Sequence, residues 1–109
     1  MNRPELPLYY TVFITTKFPS LEVVKREAPQ LLAEHLQTSE RLHRQGELVM
    51  AGAFLDRPEG PISTMAVLVS EEAAKRFIEG DPFVRAGQVQ HWEIRPWANM
   101  LRAAAGKPA

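Results

Sequence analysis

The order of strand-like and helix-like segments constrains this chain more than any other feature of its sequence. Residues 8–15 are aromatic and β-branched and contain no glycine or proline, which predicts a first strand. From Ser20, a possible helix cap, the apolar residues recur at helical spacing. Pro29 is placed to break or kink this helix, and Gly46 is placed to end it.

The second half of the chain is predicted to contain a hairpin, a second helix, a short helical turn and a last strand. Residues 47–54 and 62–69 are apolar and are separated by a loop rich in proline, glycine and aspartate, which predicts two strands and a turn. Residues 70–78 begin with serine, a helix-capping residue, and carry acidic residues before basic ones. This pattern predicts a second helix. A helical turn at 81–86 and a last strand at 89–97 follow. The order βαββαβ predicts an α+β fold of ferredoxin-like topology.

Length and composition favour one small soluble domain. A chain of 109 residues is expected to form a single domain over 1–109, with a folded core at about 8–97. The alanine-rich residues after Trp97 are predicted to be frayed. Thirteen basic residues balance thirteen acidic ones, so no nucleic-acid or membrane partner is expected.

The absence of cysteine excludes disulfides, thiolate metal sites and a cysteine nucleophile. Met1 to Pro7 lack the apolar core of a signal peptide, and no apolar run approaches the roughly 20 residues of a membrane span. We therefore expect a cytoplasmic protein.

Both faces of the predicted strands carry apolar residues, such as Tyr10 and Val12 against Tyr9 and Phe13. Two helices can cover only one face of a four-stranded sheet. The other face is expected to pack against a second copy of the chain, and the alternative is that the terminal segments fold over it.

His35 and Asp81 are the candidate reactive pair. His35 lies at helical spacing from Leu31 and Leu42, which places it on or beside the face turned towards the sheet. An imidazole can accept and return a proton near neutral pH, and a carboxylate can fix its tautomer. In the alternative, His35 is a hydrogen-bonded residue at the core edge and Asp81 only caps the turn that begins at Pro82.

Other polar and aromatic residues give weaker signals. Ser63 and Tyr10 are candidate ligand contacts, although a strand-edge hydroxyl and a core aromatic are the alternative interpretations. His43 and His91 show no metal-binding spacing with His35, and the glycines lie too far apart to form a phosphate loop. We predict no metal and no cofactor.

Several sequence blocks together resemble the YCII-related family, over nearly the whole chain. The blocks are His35-Leu36, Gly46 to Gly52, Asp56, Asp81-Pro82-Phe83-Val84-Arg85-Ala86-Gly87 and Ile94 to Trp97. The chain departs from the usual pattern by having alanine at 53 instead of proline and isoleucine at 62 instead of glycine. The resemblance implies a dimeric α/β barrel with a site around His35 and Asp81. Some members of this diverse family are dehydrochlorinases, others resemble muconolactone isomerases, and others are fused or regulatory domains.

The leading hypothesis is a cofactor-independent lyase or isomerase for a small cyclic substrate, with His35 as general acid and base and Asp81 orienting it. One positioned acid or base contributes about 100- to 10,000-fold, which suits an already activated substrate and favours elimination or tautomerisation. The alternatives are a non-catalytic small-ligand-binding or signalling module, and a purely structural dimer.

Overall fold

Strands and helices occur in the predicted order and form one antiparallel sheet with helices on one face. The computed structural model describes residues 7–101. The four strands are ordered β2-β3-β1-β4, which is the ferredoxin-like arrangement and confirms the predicted α+β class. The tail that was predicted to fray falls mostly after residue 101, outside the described residues. The elements are β1 (Leu8–Thr16), α1 (Leu21–Glu27), α2 (Pro29–Arg44), β2 (Leu48–Ala53), β3 (Ser63–Leu68), α3 (Glu71–Gly80), α4 (Pro82–Arg85) and β4 (Val89–Ala98).

Prolines divide each helical region into two helices. Ser20 caps α1 by accepting a hydrogen bond from the Val23 amide at 3.2 Å. Pro29 begins α2, where its missing N–H costs no helical hydrogen bond, so the predicted break is confirmed. Pro82 begins α4 in the same way. Gly46 follows the end of α2 with φ of 81°, a conformation that favours glycine.

The core fills only part of the space between helices and sheet. Large apolar side chains of β1, β3 and α3 form one buried cluster. Helix α2 lies against β2 but has no fully buried residue. The sheet residues beneath α2 include Ala51, Ala53 and Ala66, whose side chains are too small to reach the helix. A cavity therefore lies between α2 and the sheet.

The other face of the sheet carries exposed apolar side chains beside charged residues of β4, such as Glu93 and Arg95. Register places Phe13 opposite Met65 and Tyr9 opposite Trp97. Met50 is 58% exposed, and Trp97 is 50% exposed. The terminal residues that were considered as an alternative cover lie in 1–6 and 102–109, outside the described part. Within residues 7–101, no helix has both the length and the apolar character of a membrane span.

Candidate active site

His35 and Asp81 are in direct contact. His35 Nδ1 lies 2.6 Å from Asp81 Oδ1, and the side chains are 21% and 3% exposed respectively. A carboxylate carries no hydrogen to donate, so the imidazole donates its Nδ1 hydrogen to Asp81. In the neutral ring this leaves the lone pair on Nε2, which has no hydrogen-bond partner among the described residues. The arrangement prepares Nε2 to accept a proton.

Asp81 also caps helix α4. Its backbone is extended, and Oδ2 accepts a hydrogen bond from the Val84 amide at 3.1 Å. One oxygen therefore holds the imidazole while the other holds the first turn of α4. The cap and the histidine partner are thus roles of the same carboxylate, not alternatives.

Phe83 fixes the other side of the imidazole. Its ring meets His35 edge-on, with the ring centroids 5.6 Å apart and the planes at 66°. Phe83 is itself buried and packs edge-on against Phe18 at 5.9 Å. The imidazole is thus held by a hydrogen bond at Nδ1 and by an aromatic contact, which together restrict its rotation.

A cavity of about 390 Å³ lies under α1 and α2, with His35 and Asp81 in its wall. A volume of this size falls within the range of natural small-molecule sites and exceeds the roughly 150 Å³ that accommodates benzene. Its wall is mainly apolar, so it suits a ring more than a flexible polar chain. The polar residues in the wall are Thr16, Lys25, His35, Ser39, Thr64 and Asp81.

Only some of these polar groups are available to a ligand. The Thr16 hydroxyl is engaged with the backbone of Phe18, and both oxygens of Asp81 are occupied. The side chains of Ser39, Thr64 and Lys25 make no hydrogen bond or ion pair within residues 7–101. A ligand would therefore meet two hydroxyls, one ammonium group and His35 Nε2.

Ser63 and Tyr10 do not join this cavity. Ser63 precedes Thr64 on β3, so their side chains point to opposite faces of the sheet. The Ser63 hydroxyl lies 3.2 Å from that of Thr15, in a separate cavity of about 310 Å³ on the open face. Tyr10 packs against the core cluster and lines neither cavity. The structure brings together His35 and Asp81, but not Ser63 or Tyr10.

Lys25, Ser39, Thr64 and Phe83 contact the site but were not predicted from the sequence as site residues. Ser39 follows His35 by four positions on one helix, so its place beside the histidine was detectable. Assigning Thr64 to the cavity requires the strand register, and assigning Lys25 to it requires the position of α1 over the cavity.

The described residues contain no group of three or more potential ligands that could hold a metal ion. His43 donates from Nδ1 to the Leu48 carbonyl at 2.9 Å and so ties α2 to β2.

Comparisons with known proteins bear on the family and the fold of the chain. The sequence profile of the YCII-related domain matches residues 9–98. No curated protein matches the sequence significantly. The fold is similar to 5-chloro-2-hydroxyhydroquinone dehydrochlorinase from Burkholderia phenoliruptrix, solved in complex with 2,5-dihydroxybenzoquinone, with a TM-score of 0.56 and 21% identity over 82% of this chain and 92% of that one. It is also similar to protein PA3566 from Pseudomonas aeruginosa, with a TM-score of 0.51 and 16% identity over 92% of this chain and 100% of that one.

Proposed function

Because the chain belongs to the YCII-related family, we propose that it is a cofactor-independent lyase or isomerase that uses His35 and Asp81 to move a proton on a small cyclic substrate. The observation that carries this proposal is the 2.6 Å contact between the two residues in the wall of an apolar cavity. The similarity to a dehydrochlorinase supports the fold, and the reaction is part of the proposal.

The proposed chemistry begins at His35 Nε2. This nitrogen takes a proton from a carbon or oxygen next to a carbonyl or a halide-bearing carbon. The ring becomes an imidazolium, and the carboxylate of Asp81 stabilises the new charge at a distance of 2.6 Å. The apolar wall strengthens this attraction because few water molecules compete with it.

The electron pair released from the substrate determines the outcome. In an elimination, the pair forms a new π bond, the halide leaves with the electrons of its bond to carbon, and His35 later gives its proton to water. In an isomerisation, the pair moves along the conjugated system and His35 returns the proton to another atom of the same substrate. Both outcomes balance without an oxidant, a reductant or a metal, so no cofactor is part of the proposal.

A deuterium-exchange screen tests the proposal directly. Chlorinated hydroxyhydroquinones and unsaturated lactones are incubated with the protein in D₂O, while NMR follows deuterium entering carbon positions and an electrode follows chloride. We expect at least one ring substrate to exchange or release chloride with the wild type. We expect His35→Gln to lose that activity, while Ser63→Ala, on the opposite face of the sheet, keeps it. Equal activity of His35→Gln and wild type would contradict the proposal.

The alternative function is reversible binding without chemistry. The hydroxyls of Ser39 and Thr64 and the Nε2 of His35, which have no hydrogen-bond partner within residues 7–101, also suit a ligand that is held and released unchanged. This alternative is favoured if ring ligands bind the wild type but none of them exchanges deuterium or loses chloride.

A homodimer is part of the same proposal. The sheet face away from the helices leaves Met50, Phe54 and Trp97 half exposed or more, and a second sheet packed on this face would form the dimeric α/β barrel that the family resemblance implies. The helix-side cavity, which contains His35, would remain accessible in such a dimer because it lies on the other face.

A further inference from the structure

Lys25 is the only lysine or arginine in the wall of the helix-side cavity, among the residues that the structure describes. We infer that Lys25 recognises an ionised oxygen group of the ligand, so that the cavity takes small ring anions such as cyclic carboxylates. The inference rests on the proposed function only in taking this cavity as the ligand site. It holds for catalysis and for simple binding alike.

The charge of Lys25 is not neutralised within the described part of the chain. The neighbouring Arg26 lies 3.5 Å from Glu27, whereas no carboxylate lies within 4.0 Å of the Lys25 ammonium group among residues 7–101. Asp81, the acid of the cavity wall, is already bonded to His35 and to the Val84 amide. An anionic ligand would therefore pair with Lys25 without competition from a carboxylate within 4.0 Å among these residues.

Helix α1 holds Lys25 at the rim of the cavity. Val24, on the same helix, is 1% exposed and lines the cavity, so its burial anchors α1 to the site. Leu21 lies one turn before Lys25 and also lines the cavity while remaining half exposed. The stem of Lys25 can lie along this apolar rim and leave its ammonium group in contact with water.

This placement orients a ligand. A ring gains most from the apolar interior, whereas a carboxylate loses least hydration at the rim, where Lys25 can pair with it. The ring would then extend inwards towards His35, with Ser39 and Thr64 available for its hydroxyl or carbonyl substituents. The cation thus sets which end of the molecule reaches His35 Nε2.

Equilibrium binding of benzoate and of its neutral isostere benzamide tests the inference without requiring turnover. The variants are Lys25→Gln and Lys25→Arg, with Arg26→Gln as a matched control that removes one positive charge from the same helix outside the cavity. Calorimetry measures affinity, and amide chemical shifts of Ser39 and Arg57 report whether the probe occupies the helix-side cavity or the one on the open face. Thermal unfolding checks that every variant folds.

We expect the wild type to bind benzoate about 2- to 5-fold more tightly than benzamide, the range of one ion pair in contact with water. Lys25→Gln should lose this preference through weaker benzoate binding, while Lys25→Arg and Arg26→Gln retain it. An unchanged preference in Lys25→Gln, an equal loss in Arg26→Gln, or no benzoate bound in the helix-side cavity of the wild type would overturn the inference. A confirmed preference without deuterium exchange or chloride release from any substrate would favour the binding alternative over the enzyme proposal and leave this inference standing.

Discussion

His35 Nδ1 and Asp81 Oδ1 lie 2.6 Å apart although their residues are separated by 46 positions in the chain. The contact joins α2 to the start of α4, and the carboxylate that makes it is almost fully buried. One side chain therefore links the packing of two helices to the orientation of the imidazole. Changes at Asp81 should affect both stability and chemistry.

Asp81→Ala should destabilise the fold by about 2 to 4 kcal/mol, because it removes the cap of α4 and the hydrogen bond to His35 together. Asp81→Asn should cost less, since an amide oxygen can still accept from the Val84 amide. Urea unfolding followed by circular dichroism measures both values. Glu79→Ala, at an exposed acid two residues earlier, serves as the control and should change the free energy of unfolding by less than about 0.5 kcal/mol. A loss below 1 kcal/mol for Asp81→Ala would show that neither contact matters for folding.

The contact with Asp81 should also fix the tautomer of His35. In neutral His35 the hydrogen should reside on Nδ1, since Asp81 accepts it, and Nε2 should be unprotonated. Long-range ¹⁵N–¹H NMR spectra distinguish the two ring nitrogens. His91, which is exposed on the open face, should show the ordinary mixture of tautomers and provides the comparison in the same sample. A predominantly Nε2-protonated His35 would contradict its role as a base at that atom.

Some of this organisation was readable from the sequence because its signals are local. Pro29 and Pro82 begin helices, and Gly46 ends one, through the backbone restrictions of the residues themselves. The pairing of His35 with Asp81, in contrast, has no local signal in the sequence. It depends on how α2 packs beside α4, and the sequence pointed to it chiefly through resemblance to a family.

The side chains of the helix-side cavity that the sequence did not indicate depend on strand register and on helix position. Ser63 and Thr64 are adjacent, yet only Thr64 lines the helix-side cavity, so a shift of one residue in the strand register would exchange their roles there. From the sequence alone, Lys25 is indistinguishable from an ordinary surface lysine of a short helix. Only the position of that helix over the cavity gives it a second role.

Filling the cavity should block ligand binding without unfolding the protein. Ala51 lines the cavity beside Ala66, its partner on the adjacent strand β3, and Ala51→Leu adds three carbon atoms to space that a ring would occupy. We expect ring ligands to bind about 10-fold more weakly or not at all, with a melting temperature close to that of the wild type. Met50→Leu, on the neighbouring position of the same strand and on the opposite face, is the control and should bind normally. Unchanged binding in Ala51→Leu would place the ligand site elsewhere.

Association of two chains through the open face is expected to depend on Trp97. This side chain is 50% exposed in the single chain and contacts Tyr9, with ring centroids 6.3 Å apart. Light scattering at micromolar concentration should give the mass of two chains for the wild type. Trp97→Asp should shift it towards one chain, because a dimer would have to bury an unpaired charge in an apolar contact. Leu55→Asp, at an 88% exposed residue of the loop between β2 and β3, is the matched control and should remain dimeric. A wild-type mass equal to one chain would leave the apolar face without the partner proposed for it.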